Sequence, residues 1–389
     1  MSVLDYYKNN KFNPVPIKFS KKKNIIDHYI KRFNLIENHL NIFLPLLNNK
    51  KILEFGCNGG ENACFLADYG ANLYLVEPHK KVHKIILNNF NKINKKKNLK
   101  LLSSKTLEDF NTKEKFDVII AEGFVNTLNK RDYYFKKIIN FLKPGGLLII
   151  NYDDVYGGFF EFLKSYILFK SCYKNNIKPD SEKGLKIAEK LFKREFNKLN
   201  KSRTFYSWWK DQLINPYAAK TWSLQDLIKL ANTESMSCYS TSPIFNKSSL
   251  LKWYKNIDPK DLNPKKINQV FIEEWKKNLL NFLIGHDIGT PINLSDKELS
   301  QLKYFINKMN LSFKNKNLDK KIKINKTVNK IFYYNRMKSY RKEFLDIIKL
   351  LNSSTNNINK IIKYYTKSKK LKKTWGNLLH YVVFKKNFN

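Results

Sequence analysis

The chain has 389 residues, of which 42% are hydrophobic and 27% charged. That length suits two domains or one with large insertions, and that composition excludes a disordered chain. Lysine and arginine number 73 against 33 acidic residues, a formal charge of +40, which argues against basic partners and leaves nucleic acid, phosphate-rich substrates or an anionic surface open.

The N-terminal stretch MSVLDYYKNNKF has no apolar signal-peptide core, and no window of eighteen apolar residues follows, so a cytoplasmic protein without a transmembrane segment is expected. Residues 24–44 have helical spacing: Ile26, Tyr29, Ile30 and Phe33, then Ile36, His39, Leu40 and Phe43. Residues 1–49 are read as an N-terminal helical segment. Five short apolar runs come next: 51–55 (KILEF), 72–77 (NLYLVE), 98–102 (NLKLL), 116–121 (FDVIIA) and 146–151 (GLLIIN). Near-continuous apolar runs alternating with helices predict a parallel sheet buried on both faces, so residues 50–152 are read as a doubly wound α/β core. The helix marked by Phe135, Ile138, Ile139 and Leu142 is expected to stop at Lys143-Pro144-Gly145-Gly146.

Residues 153–222 are read as a helical, aromatic insertion after the fifth strand, with Phe159, Phe162, Leu163 and Tyr166 on one amphipathic face. Residues 223–245 return to the core as a helix capped by Ser223 and a strand over 236–242. Residues 246–389 are read as a basic, mostly helical C-terminal region, opened in part by the capping box Ser295–Glu298, with Asn/Lys-rich linkers near 311–330 and 352–360. Only six of the basic residues are arginine, and abundant Lys, Asn and Ile are what A/T-rich codons encode, so mutational bias is one reading of the charge. The other is a functional anion-binding tail, because residues 301–389 hold 23 basic and 3 acidic residues. The four cysteines, Cys57, Cys64, Cys172 and Cys238, include no CxxC pair, so no metal site is expected.

The stretch most informative about chemistry is Ile52-Leu-Glu54-Phe-Gly56-Cys57-Asn58-Gly59-Gly60-Glu61. A strand ends in an acid and enters a glycine-rich turn where a ligand can touch backbone and helix-start N–H groups. A dinucleotide fingerprint would need glycine at 56, 58 and 61, and only Gly56 complies. The stretch resembles motif I of the class I S-adenosylmethionine (SAM)-dependent methyltransferases, an acid followed by G-x-G-x-G. The resemblance implies a Rossmann-like methyltransferase sheet and SAM as cofactor, held by Glu54, Gly56, Cys57, Asn58 and Gly60. It implies that Glu77, closing the second strand, holds the ribose hydroxyls and that Pro78 lies by the adenine. Thr106 and Leu107 would contact the adenine, and Glu122 and Gly123 would lie near the methionine end.

The family resemblance leaves the acceptor open. The [DN]-P-P-[FYW] motif of base-amino methyltransferases is absent: Ala121-Glu122-Gly123-Phe124 stands there. The insertion is expected to lie over the carboxyl ends of the strands, where α/β folds bind ligands. Tyr152, Tyr156, Trp208, Trp209, Asp211 and Tyr217 are the candidate walls of an acceptor pocket, and Asp153 and Asp154 the candidate bases. The expected function is methylation, at oxygen, of a small molecule or glycan precursor. Two alternatives stay open: an RNA methyltransferase that holds nucleic acid through residues 301–389, where Lys363–Trp375 interleaves cations and aromatics, and a non-catalytic scaffold.

Overall fold

The computed structural model describes residues 3–388 apart from residues 10–18, 20, 200–202, 218–220, 246–262, 288, 290, 315–320, 335 and 354–356. Parts of the expected linkers near 311–330 and 352–360 therefore lie outside the described residues. The chain divides into two compact units. The first holds Met1–Tyr152, Trp222–Trp275 and Leu379–Asn389, and the second Asp153–Thr221 and Lys276–Leu378. The insertion after the fifth strand and most of the C-terminal region thus share one unit.

The first unit is built on a seven-stranded sheet: β1 (Lys51–Phe55), β2 (Asn72–Val76), β3 (Leu99–Ser103), β4 (Phe116–Ala121), β5 (Leu142–Asp153), β6 (Met236–Ser242) and β7 (Leu379–Lys386), in the order β3-β2-β1-β4-β5-β7-β6. The pairs β1–β2, β1–β4, β2–β3 and β4–β5 are parallel, and β6–β7 is antiparallel. The doubly wound sheet read from the apolar runs is therefore present, with one strand more than expected. Residues 379–386, grouped in the sequence with a helical region, insert between β5 and β6. The Pro-Gly-Gly turn also differs. The helix Arg131–Asn140 ends earlier, and residues 143–146 lie within β5 as an irregularity, Phe116 facing Leu142 and Val118 facing Leu147.

Side-chain alternation explains why the sheet is covered on both sides. Ile52, Leu73, Leu75, Val118, Ile120 and Val383 join one core cluster with Ala63, Cys64 and Phe65 of the helix Glu61–Asp68. The alternate β1 residue Phe55 meets Phe110 edge-on at 5.6 Å and Phe141 at 6.3 Å. Glu54 follows Ile52 by two residues. It therefore faces the helix-covered side and is only 2% exposed. Four helices of this unit matter below: α1 (Lys22–Phe33), α2 (Glu61–Asp68), α3 (His83–Lys92) and α4 (Arg131–Asn140). Ser223 caps the helix that precedes β6 through a reciprocal capping box with Asp226, worth about 1 kcal/mol.

In the second unit the helix Phe159–Tyr173 is central. The sequence gives it one apolar face, yet Phe159–Leu168 is buried without interruption. The segments 209–213, 279–284, 296–314, 338–352 and 358–367 pack around it. A helix enclosed on all sides must also bury its polar residues, and Lys164 is 2% exposed, its Nζ donating to the Thr374 carbonyl and lying 4.2 Å from the centre of the Trp375 ring. Among the described residues, no helix is long and apolar enough to cross a membrane.

Candidate functional site

β1 runs into α2 through residues 56–60, and three of them are left-handed: Gly56 (φ 70°), Asn58 (φ 50°) and Gly60 (φ 76°). These are positions where glycine, or asparagine at lower frequency, avoids the strain of a Cβ. A Cβ on Gly56 would meet the Phe124 ring at 3.2 Å and one on Gly60 would meet Ile86 at 3.3 Å, so a side chain at either position would be crowded as well as strained. The buried amide of Asn89 on α3 donates to the Gly59 carbonyl at 3.0 Å and fixes the turn from the side.

Glu77, just past β2, is 6% exposed and is held by backbone. Its Oε2 accepts the Asn58 N–H and its Oε1 the His79 N–H, both at 2.8 Å. Each carboxylate oxygen keeps a further lone pair for a hydroxyl donor. Burial raises its pKa, and these two bonds oppose the rise. Glu77 thus ties the β1 turn to the β2 turn and presents a carboxylate with fixed orientation. Pro78 and His79 beside it are half-buried. Thr106 closes a local turn through Oγ1, which donates to Asp109 at 2.6 Å, and Leu107 is buried next to it. Cys57 is buried with its thiol pushed up by burial, then by Glu54, and behaves as a small packing residue.

At the end of β4 the geometry adds what sequence reading missed. Glu122 receives a bidentate fork from Arg32 of α1: Nη1 to Oε2 at 3.0 Å and Nη2 to Oε1 at 2.8 Å. Asn62 of α2 donates to the same Oε2 at 3.2 Å, and the Tyr381 hydroxyl of β7 also donates to it, at 3.3 Å. Gly123 (φ 82°) donates its N–H to Asn151 Oδ1 at 2.5 Å. The Arg32 and Glu122 side chains are 7% and 13% exposed. Removing one member of so buried a pair strands the other.

Among the described residues here, Arg32 Nε, Glu54 Oε2 and His28 Nε2 lack hydrogen-bond partners. The Glu54 carboxyl is pushed up to about 8, by burial first and then by the Glu122 charge, with Arg32 opposing. Glu61 is raised to about 7 by burial, and His28 of α1 is lowered to about 4 by burial and then Arg32. An unfilled acceptor and an unfilled donor of a cation, buried within electrostatic range of each other, fit a ligand with both an ammonium and a carboxylate. The positive-φ backbone cradle and the oriented Glu77 carboxylate fit a ribose beside it.

The cofactor candidates Glu54, Gly56, Cys57, Asn58, Gly60, Glu77, Pro78, Thr106, Leu107, Glu122 and Gly123 all belong to the first unit, as does Tyr152. Tyr152 is 1% exposed, its ring edge-on to His380 of β7 at 5.6 Å. Asp153, Asp154, Tyr156, Trp208, Trp209, Asp211 and Tyr217 belong to the second. Asp154 is fully buried and its Oδ1 accepts the N–H groups of Tyr156 (2.9 Å) and Gly157 (2.8 Å), a turn-forming role. Tyr156 is 3% exposed and its hydroxyl donates to the Leu299 carbonyl. Trp208 packs among Phe192, Phe196, Phe205 and Trp375 at 5.2–6.0 Å. Asp211 pairs with Arg203 at 2.8 Å. Trp209 is buried with its Nε1 unpartnered, and Tyr217 is half-buried.

Comparison with known proteins identifies the family of the chain. A family model described as a methyltransferase domain matches residues 26–222, just over half of the chain. The ubiquinone biosynthesis O-methyltransferase of Pelagibacter ubique (strain HTCC1062) is 29% identical over 139 residues, 36% of this chain and 52% of that protein. The chain therefore spans about half the length of the curated relative it matches. Among solved structures, PKMT2 from Rickettsia typhi in complex with AdoHcy is 18% identical, covers 64% of this chain and 50% of its own, and has a TM-score of 0.42. A SAM-dependent methyltransferase from Clostridium acetobutylicum ATCC 824 is 22% identical, with 33% and 50% covered and a TM-score of 0.26.

Proposed function

Because the chain belongs to the SAM-dependent methyltransferase-domain family, we propose that it transfers a methyl group from SAM to an oxygen of a small-molecule or glycan-precursor acceptor. The observation that carries the reading is the pair of strand-end carboxylates: Glu77 oriented by two backbone N–H groups, and Glu54 buried with an oxygen unpartnered. Glu77 would hold the ribose hydroxyls, Glu54 the α-ammonium and Arg32 the α-carboxylate of the cofactor, with the 56–60 backbone beneath them. SAM supplies a methyl group on a sulfonium, open to in-line displacement. The protein's task is to fix the reacting groups and to take a proton from a hydroxyl acceptor. Of the two expected bases, Asp153, half-buried at the end of β5, is taken as the proton acceptor in this proposal.

Methylation at oxygen draws on the name of the relative from Pelagibacter ubique, an O-methyltransferase of which 52% is aligned. The RNA reading through residues 301–389 keeps exposed aromatics in Tyr304 and Tyr333, but within Lys363–Trp375 Tyr365 is 1% exposed and Tyr364 and Trp375 are half-buried, which favours the small-molecule reading. A scaffold reading leaves unexplained why Glu54 stays buried and unpaired beside an intact turn. Calorimetry with SAM and S-adenosylhomocysteine tests the cofactor half. A labelled-methyl screen against fractionated extracts tests the acceptor half. Asp153→Asn should lower turnover while leaving cofactor affinity unchanged, and an unaltered rate removes Asp153 from the mechanism.

A further inference from the structure

Between Glu77 and Glu108 the chain carries nine lysines and no aspartate or glutamate. The fold gathers these residues on one side of the first unit: the turn after β2, then α3, then residues 93–98, then β3, the edge strand of the sheet. Lys80, Lys81, Lys84, Lys92, Lys96, Lys97 and Lys100 are exposed there. Elsewhere in the same unit lysines meet carboxylates, as Lys51 does Glu114, Lys136 does Glu234 and Lys143 does Asp117. Compositional bias explains many lysines. It does not explain why a stretch of nine lysines carries no acid of its own, so that neighbouring lysines repel one another.

The arrangement selects among polyanions. On α3 the exposed residues are Lys84, Ile85, Leu87, Asn88, Asn91 and Lys92. At helical spacing Lys84, Asn88, Asn91 and Lys92 occupy the middle of the arc, and Ile85 and Leu87 its margins. A helix that seats on a lipid surface puts its apolar residues in the middle. Ammonium and amide donors in the middle suit phosphate and sugar oxygens. The stretch has no arginine and its sole aromatic residue, Phe90, is fully buried. Stacking of bases on Phe, Tyr or Trp is therefore not available, and the exposed donors are lysine ammonium and asparagine amide groups. We propose that the α3–β3 edge binds the phosphate backbone of nucleic acid without sequence preference, at a surface distinct from residues 301–389.

The test is binding of the full chain to a short mixed-sequence RNA, followed by fluorescence anisotropy across a salt series. The variant K84Q/K92Q/K96Q/K97Q is compared with K338Q/K342Q/K349Q/K360Q, which removes the same charge from exposed positions of the second unit. The first variant should flatten the slope of log affinity against log salt by about one per lysine. The pair K96Q/K97Q alone should flatten it by about two, and the second quadruple variant should leave it unchanged. Equal effects of the two quadruple variants would reduce the surface to net charge. Absence of retention at low salt, or binding to phosphatidylglycerol vesicles without binding to RNA, would equally overturn the proposal.

Discussion

The two units treat buried polarity differently. In the second unit the residues with chemical promise are used up by packing: Trp208 in an aromatic cluster, Asp211 on Arg203, Asp154 in a turn. In the first unit the strand ends keep groups whose bonding capacity is not filled, Glu54 Oε2 and Arg32 Nε, beside a carboxylate held still by backbone. A buried polar group without a partner costs roughly 1–3 kcal/mol, and a fold retains that cost where a ligand removes it. The second unit has such groups too, in Glu161, Tyr166, Ser171 and Trp209. The contrast therefore lies in what stands beside the unfilled groups: in the first unit they lie near a positive-φ turn and a backbone-held carboxylate at the strand ends.

The largest expected effect breaks the comparison at its packed end. Trp208→Ala should destabilise the protein by about 3–5 kcal/mol in denaturant titrations, as removal of a core aromatic does. Trp209→Phe should cost about 1 kcal/mol or less, because it removes an N–H that has no partner while keeping most of the volume. If Trp209→Phe instead lowers acceptor turnover with stability unchanged, Trp209 belongs to the acceptor site and Trp208 to the core. Equal destabilisation by both would erase the distinction.

Next in size is the buried ion pair. Arg32→Gln should cost about 3–4 kcal/mol of stability, since Glu122 is left charged and enclosed. The double variant Arg32→Met/Glu122→Leu should recover most of that loss in thermal denaturation but none of the cofactor affinity. Recovery of both would make the pair structural alone. Glu77→Ala addresses the cradle. It removes the acceptor of two backbone N–H groups and the proposed partner of two hydroxyls, so cofactor affinity by calorimetry should fall by about a hundredfold or more, near 3 kcal/mol. Unchanged affinity would remove Glu77 from the site.

Most of the first unit could be read in advance because parallel strands buried on both faces leave near-continuous apolar runs, and because a turn that must adopt positive φ leaves Gly56, Asn58 and Gly60 in place. β7 was missed for a physical reason: an eight-residue run such as LHYVVFKK is equally a buried helix segment by periodicity, and its pairing with β6 spans well over a hundred residues of chain. Tyr381 was missed with it. Arg32 lay within a helix assigned by its apolar positions, which says nothing of what the polar ones meet. One signal was available: arginine is scarce in a chain dominated by lysine, and Arg32 carries a buried ion pair in which its planar fork meets both carboxylate oxygens. The acceptor residues were the least legible, because tryptophan in a helical insertion is compatible with core and pocket alike.

The smallest predicted effect is the most specific to the unfilled groups. Glu54 has an ordinary value of 4.5 and is raised to about 8 in the folded protein. Its protonated form therefore favours folding, a contribution fully present below pH 4.5 and lost as pH rises through about 8. A cofactor ammonium placed against Glu54 would favour the ionised carboxyl, so binding should release a proton below pH 8. Affinity should then rise by up to about tenfold per pH unit from roughly pH 5 and level off near pH 8. Calorimetry in buffers of different ionisation enthalpy would register that proton directly. Glu54→Gln should flatten the profile while lifting apo stability at alkaline pH, because a neutral amide carries no ionisation cost. A profile that keeps its slope in Glu54→Gln assigns the proton to another group, with Glu61, raised to about 7, next in line.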